Sequence, residues 1–252
     1  RQSRPKRTKP KKRGKITMTA ILKRELKEYF YTPIGYVFVG FFMFLTSWIF
    51  SYTNIFSASG DLSSLFGNLT IVFMFLVPIL TMRLISEEKN TKTDQLLLTA
   101  PISISKIVLG KVFSAFCVFL ITLFLSLVYP IIVSVYSKPP VSELLAVYIG
   151  FFLMGISYIS IGVFISSLTE NQIISAVATF AILFVLNLID MLSAVITNPI
   201  LTKIISYLSI TNRYADFTDG IVRIDSVIYY LSVSALFVFL TCNQLEKRRF
   251  KK

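Results

Sequence analysis

The hydrophobic positions fall into six long runs separated by short polar breaks. The runs cover about residues 34–53, 67–84, 108–135, 142–168, 172–196 and 226–244. Each is near the ~20 residues that an α-helix needs to cross about 30 Å of hydrocarbon. Backbone N–H and C=O groups in lipid must find partners within their own segment, so runs of this length predict helices. Pro78 lies inside the second run and predicts a kink there, and Pro130 lies near the end of the third.

Ahead of the first run the period changes. Met18, Ile21, Leu22, Leu26, Tyr29 and Phe30 share one face at 100° per residue, with Lys23, Arg24, Lys27 and Glu28 mostly opposite. A short basic amphipathic helix just before a span predicts an interfacial helix over residues 18–33, with Lys23, Arg24 and Lys27 toward the headgroups of the cytoplasmic leaflet. Thr32-Pro33 ends it, because proline pushes the preceding residue out of the helical region. Residues 1–17 hold nine basic residues, two prolines and no hydrophobic body. They predict a disordered basic tail or an added extension ahead of Met18, which resembles a natural start. Attraction to anionic headgroups is the alternative role. With no aromatic interleaved for base stacking, nucleic acid is not an expected partner.

Composition places the chain among membrane proteins: 54% of its 252 residues are hydrophobic, 15% are charged and the mean hydropathy is +0.71. The net charge of +13 matters through its distribution. With spans alternating, 22 of the 26 Lys and Arg fall on one side, in the amino-terminal segment, the 83–111 loop and the carboxyl tail. Only Lys138, Lys203, Arg213 and Arg223 fall on the other. The positive side is expected to face the cytoplasm, with both termini inside. Cys117 and Cys242 lie in apolar runs and suggest neither a disulfide framework nor a metal site. The chain has no histidine, which excludes serine triads, zinc proteases and imidazole relays. It contains no G-x-x-x-x-G-K-[ST], so it cannot cradle nucleotide phosphates in that way, and if it moves something uphill, ATP and Mg are expected on a partner subunit.

The densest charge lies between the second and third runs. Arg83, Glu87, Glu88, Lys89, Lys92 and Asp94 crowd into 12 positions within a loop spanning 83–107. Carboxylates on a helix extended into the cytosol can accept charge-assisted hydrogen bonds from a partner. The plainer reading is a solvated helix end, with Glu88 and Lys92 paired at i, i+4 for about 0.2–0.5 kcal/mol. In the fifth run, Asn187 and Asp190 share a face, and an ionisable group inside a span is a functional candidate, here for a translocation pathway. Asn198-Pro199 follows closely, so Asp190 belongs to the outer third. Glu170 and Asn171 fall in a short inner turn. Gly150, Gly155, Ser157, Ser160 and Gly162 in the fourth run permit close helix approach. Within 197–225, PILTKIISYLS and RYADFTDGIVRID predict two short outer helices, either a lid over a central pathway or a packed loop.

Three stretches carry a family resemblance. LVPILTMRLISEEKNTKTDQLLLTAPIS resembles the inner-loop signature of ABC-2-type transporter permeases, with Met-Arg, Glu-Glu-Lys and Leu-Leu-Leu-Thr-x-Pro at the family's spacing. ILKRELKEYFYTPIGYVF is similar to the family's interfacial helix and first span, and FTDGIVRIDSVIYYLSVSALFVFLTCNQLEKRR to its last outer helix, sixth span and basic tail. The branch it most resembles is that of gliding-motility permeases and the copper-site maturation permease of nitrous oxide reductase. The resemblance implies an all-α membrane protein of six transmembrane helices, with an N-terminal interfacial helix, a coupling helix between spans 2 and 3, and short outer helices between spans 5 and 6. It implies a dimer with a second permease copy or paralogue, bound to two cytosolic ABC ATPase subunits, that exports a substrate. A mechanical scaffold acting on a periplasmic auxiliary protein is the alternative. Arg83, Glu87, Glu88, Lys89 and Asp94 fall on the coupling element. Lys92 and Gln95 stand where relatives often carry glycine and glutamate.

Overall fold

A computed structural model describes residues 17–95, 102–137, 140–193 and 209–250. The tail through Ile16, the LLLTAP segment, Lys138, Lys203 and the PILTKIISYL stretch lie outside the described residues. Among those described the chain is helical and contains no strand.

Helix α1 (Met18–Tyr31) starts at Thr17, whose hydroxyl accepts from the Ala20 N–H as an N-cap. Thr32 ends it in an extended conformation, and α2 (Pro33–Phe50) begins with proline at a position where the missing N–H has no helical partner to lose. A π-helical turn, Ser51–Ile55, continues α2. There follow α3 (Ser63–Thr81), α4 (Arg83–Asn90), α5 (Ile104–Leu125), α6 (Val128–Tyr136), α7 (Val141–Leu168), α8 (Gln172–Ser193), α9 (Ile210–Thr218) and α10 (Ile224–Phe250).

Six helical segments are long and apolar enough to cross a membrane: Pro33–Ile55, Ser63–Asn90, Ile104–Tyr136, Val141–Leu168, Gln172–Ile189 and Ile224–Arg249. They coincide with the six apolar runs to within a few residues at most ends, and the chain is an all-α, multi-pass membrane protein. Helix α3 runs on through Pro78 to Thr81 and is interrupted at Met82, whose N–H still bonds to the Pro78 carbonyl. Pro130 removes the N–H that would bond to the Ser126 carbonyl, and the third segment breaks there; the Tyr148 hydroxyl donates to that carbonyl at 3.0 Å.

Helix α7 is the axis of the bundle and packs against α3, α4, α5, α8, α9 and α10. Its small residues make this possible. A Cβ at Gly150 would lie 2.5 Å from the Phe217 side chain of α9, and one at Gly155 would overlap the Phe119 ring of α5. Around Phe73 the core is aromatic, with Phe119 and Phe151 at centroid distances of 4.7 and 5.2 Å. The segments of α3 and α7 are the most enclosed, while those of α2, α8 and α10 leave most of their apolar surface outside the chain.

The second expected outer helix is shorter than its sequence suggested. It covers Ile210–Thr218 and stops before Asp219-Gly220, where Gly220 adopts φ +78°. Gly220 N–H bonds to Phe217 O and Ile221 N–H to Asp216 O, the paired bonds of a Schellman C-cap. The chain then re-enters helix at Ile224.

Candidate functional site

Helices α1, α4 and α5 meet at one end of the bundle, and the break at Met82 sets α4 apart from α3. A helix that restarts needs partners for its first N–H groups. Ser166 of α7 supplies one: its hydroxyl oxygen lies 3.2 Å from Ile85 N and 3.1 Å from Ser86 N, and the same oxygen is 3.1 Å from the Met82 carbonyl, to which the hydroxyl donates. The first turn of α4 is thus capped by a side chain from the bundle axis.

Two charge clusters then fix α4 to α1. In the first, Arg83 is 6% exposed and lies 2.8 Å from Glu28, 3.2 Å from Glu87 and 2.6 Å from the Thr32 hydroxyl, with its guanidinium over the Tyr29 ring. In the second, Lys111 of α5 is buried and stands between Glu25 at 3.0 Å and Glu88 at 2.9 Å, while also donating to the Leu84 carbonyl at 2.6 Å. Arg24 closes the ring by pairing with Glu25 at 2.6 Å and with Glu88. Burial alone would push the Glu25 carboxyl up, but Lys111 and Arg24 together hold it below its ordinary value. Arg24 is held above its own ordinary value against burial, chiefly by Glu25 and then Glu88. Burial drives the Tyr29 phenol well upward, so it remains a neutral donor to the Leu80 carbonyl at 2.7 Å.

The other end of α4 is tied down as well. Lys89 is buried and donates to the Ser167 carbonyl at the end of α7. Arg248, near the end of α10, lies 3.3 Å from Asp94 and 2.8 Å from Glu170, which brings the short turn before α8 into the same junction.

The expected coupling residues are therefore together, but most of them face inward. Arg83, Lys89 and Asp94 are buried, and Glu88 is committed to Arg24 and Lys111. The proposed pairing of Glu88 with Lys92 does not occur. Lys92 has φ +58°, which swings it off the helical ladder just past the end of α4. That left-handed position is one where glycine is the usual occupant. The exposed part of the element is its tip, residues 90–93 together with Gln95. Of the basic residues of α1, Arg24 turns into the cluster, while Lys23 and Lys27 remain exposed.

Asn187 lies toward the opposite end. Its amide donates to the Tyr158 hydroxyl at 3.1 Å and to the Leu183 carbonyl at 2.8 Å, and its oxygen accepts from Thr211 at 3.1 Å. It joins α7, α8 and α9. Asp190 falls on the last turn of α8, and its side chain is outside the described residues.

Sequence reasoning missed Glu25, Glu28, Lys111 and Ser166. Two of these had signals. Glu25 interrupts the buried stripe Ile21–Glu25–Tyr29 of α1, and Lys111 is a lone cation inside an apolar run. A charge on each of two apolar faces is the mark of a buried pair. Ser166 had none, since only the fold brings it to Met82. Among the described residues, every carboxylate of the junction faces an arginine or lysine.

No match to the chain was found among curated proteins. A family model described as ABC-2 family transporter protein matches residues 19–243, from the first turn of α1 through most of the sixth span. The family implies a membrane setting and an ABC ATPase partner. The chain thus belongs to the ABC-2 family of transporter proteins and is the membrane-spanning permease subunit of an ABC transporter.

Proposed function

We propose that this permease couples ATP hydrolysis by a separate cytosolic ATPase to export of a substrate across the bacterial cytoplasmic membrane, working as a dimer with two ATPase subunits and with both termini in the cytoplasm. The observation that carries the reading is α4 itself. It is set apart from α3 by a break, clamped to α1, α5 and α7 on its buried side, and left with a polar tip at residues 90–93. An ATPase that moves the tip would move α1 and the start of α5 with it, a rigid-body displacement of packed elements. In this reading the tip docks, while Glu88 and Arg83 transmit. The largely exposed apolar faces of α2, α8 and α10 are available to lipid and to a second permease.

The test is mild detergent purification of the tagged permease with its ATPase. Asn90→Arg/Thr93→Arg places two charges on the tip and should release the ATPase at unchanged thermal stability. Glu87→Lys/Glu88→Lys should release it and lower stability together. Retention of the ATPase at parental stoichiometry by the tip variant would refute docking there.

A further inference from the structure

Between α1, the start of α2 and α5 runs an open apolar groove of about 690 Å³, within the size range of ligand clefts. Leu26 and Phe30 form one wall, and Cys117, Leu120 and Ile121 form the other. Tyr31 and Tyr36 stand at its rim, 85% and 63% exposed. Amphipathic phenols of this kind suit the level of lipid headgroups. Lys27 is the one charged residue of the lining, and Lys23, one turn earlier on the same stripe, extends the positive lip. Neither lysine has an ion pair among the described residues. The carboxylates of α1 point elsewhere, Glu25 to Lys111 and Arg24, and Glu28 to Arg83.

We propose that this groove holds an anionic phospholipid from the leaflet at the α4 end, with an acyl chain along Cys117–Ile121 and the phosphate on Lys27 and Lys23. The charge complementarity is local and one-sided: an apolar trough ends in two uncompensated cations and no acid. A second apolar groove of about 600 Å³, between α5, α7 and α10, gives the contrast. It includes Phe116, Val238 and Cys242, but its charged lining residue is Glu246. An anionic headgroup is disfavoured there. Because α1 carries Glu25 and Glu28, a lipid seated on its other face would bear on the joint that holds α4.

The two native cysteines fall one in each groove, which makes the proposal testable in the full chain. Cys242→Ser leaves Cys117, and Cys117→Ser leaves Cys242. Each variant is labelled with bimane, reconstituted in lipid nanodiscs and quenched by brominated phosphatidylglycerol or brominated phosphatidylcholine at matched fractions. At Cys117 the apparent affinity should favour phosphatidylglycerol by roughly five-fold for each lysine, the worth of one basic residue at an anionic surface. Lys23→Gln/Lys27→Gln should abolish that preference, and Cys242 should show none. Equal quenching by the two lipids at Cys117 would reduce the groove to ordinary annular contact and overturn the proposal. So would a preference that survives the double lysine substitution, or one of equal size at Cys242. Native mass spectrometry of the unlabelled protein guards against blockage by the label: retained phosphatidylglycerol should fall in Lys23→Gln/Lys27→Gln, and unchanged retention would also overturn the site.

Discussion

At the α4 end three helices meet through buried charge, with Lys111 between Glu25 and Glu88 and Arg83 between Glu28 and Glu87. At the α9 end the contacts are rings and carbonyls. Phe217 fills the notch at Gly150, the Tyr230 hydroxyl donates to Ile210 O at 2.6 Å, and Ser63 donates to Thr218 O at 2.7 Å. Ion pairs occur there too, but Arg213–Asp225 and Arg223–Asp216 are 3.7 Å long and partly exposed, and Arg223–Asp225, at 3.2 Å, is exposed on both sides, a class of pair worth little. The two ends can therefore respond differently to force. Alternating cations and carboxylates can exchange partners without opening an apolar surface, whereas a ring in a glycine notch is either seated or out. One end is held by clustered charge and the other is closed by seated rings, with α7 common to both.

The largest effect should come from breaking the charged end at its centre. Lys111→Met leaves the buried Glu25 and the half-buried Glu88 with only Arg24 between them, and loss of one partner of a buried cluster costs about 3–5 kcal/mol. Thermal unfolding in detergent should register that loss, and adding Glu25→Gln should return much of it. A cost below about 1 kcal/mol would mean that Lys111 is not the keystone of the joint.

The corresponding strike at the closed end is Gly150→Ala. The new Cβ would collide with Phe217, and overpacking of this kind costs about 1–3 kcal/mol. Hydrogen exchange should show faster opening of α9 with α4 unchanged. Equal loosening at both ends would show that α7 transmits packing strain along its length, and the contrast between the ends would fail.

A gentler probe is pH. The folded-state pKa of Glu25 is depressed below its ordinary 4.5, so the stability it contributes is complete above that value. It is lost as pH falls through the lower folded-state value. The stability difference between the parent and Glu25→Gln should be constant from neutral pH to about 4.5 and narrow below it. A difference that does not change with pH would mean that the carboxylate charge contributes nothing at this joint.

How much of this was legible in the sequence follows the same division. The spans were readable because hydrocarbon thickness fixes their length, and Pro130 lies beside the break in its segment, whereas α3 runs on through Pro78. The small residues of α7 were visible as permission for close packing, but their partners, Phe217 and Phe119, were not, since a notch does not say which ring will fill it. The charge-rich stretch 83–94 was found, and its exposure was misjudged. Glu88 looked like a docking group because its two partners, Arg24 and Lys111, lie 64 and 23 positions away and on other helices. Long-range pairing of charges has no periodicity to betray it. The sharper clue was the misplaced charge, Glu25 on a buried stripe and Lys111 in an apolar run.

The smallest effect is expected at Lys92, and it separates the shape of the tip from its chemistry. A residue with a side chain at φ +58° sits where L-amino acids lose about 1–2 kcal/mol, whereas glycine there costs about 0.5–1 kcal/mol of extra unfolded-state entropy. Lys92→Gly should therefore stabilise α4 by about 0.5 kcal/mol, seen as slower exchange of its last amides. It should leave ATPase association unchanged, because the turn, and not the ammonium group, shapes the tip. Slower exchange with a lost partner would instead make the Lys92 charge a docking contact in its own right. Faster exchange would mean that the chain does not take the left-handed turn, and the tip would then have to be redrawn.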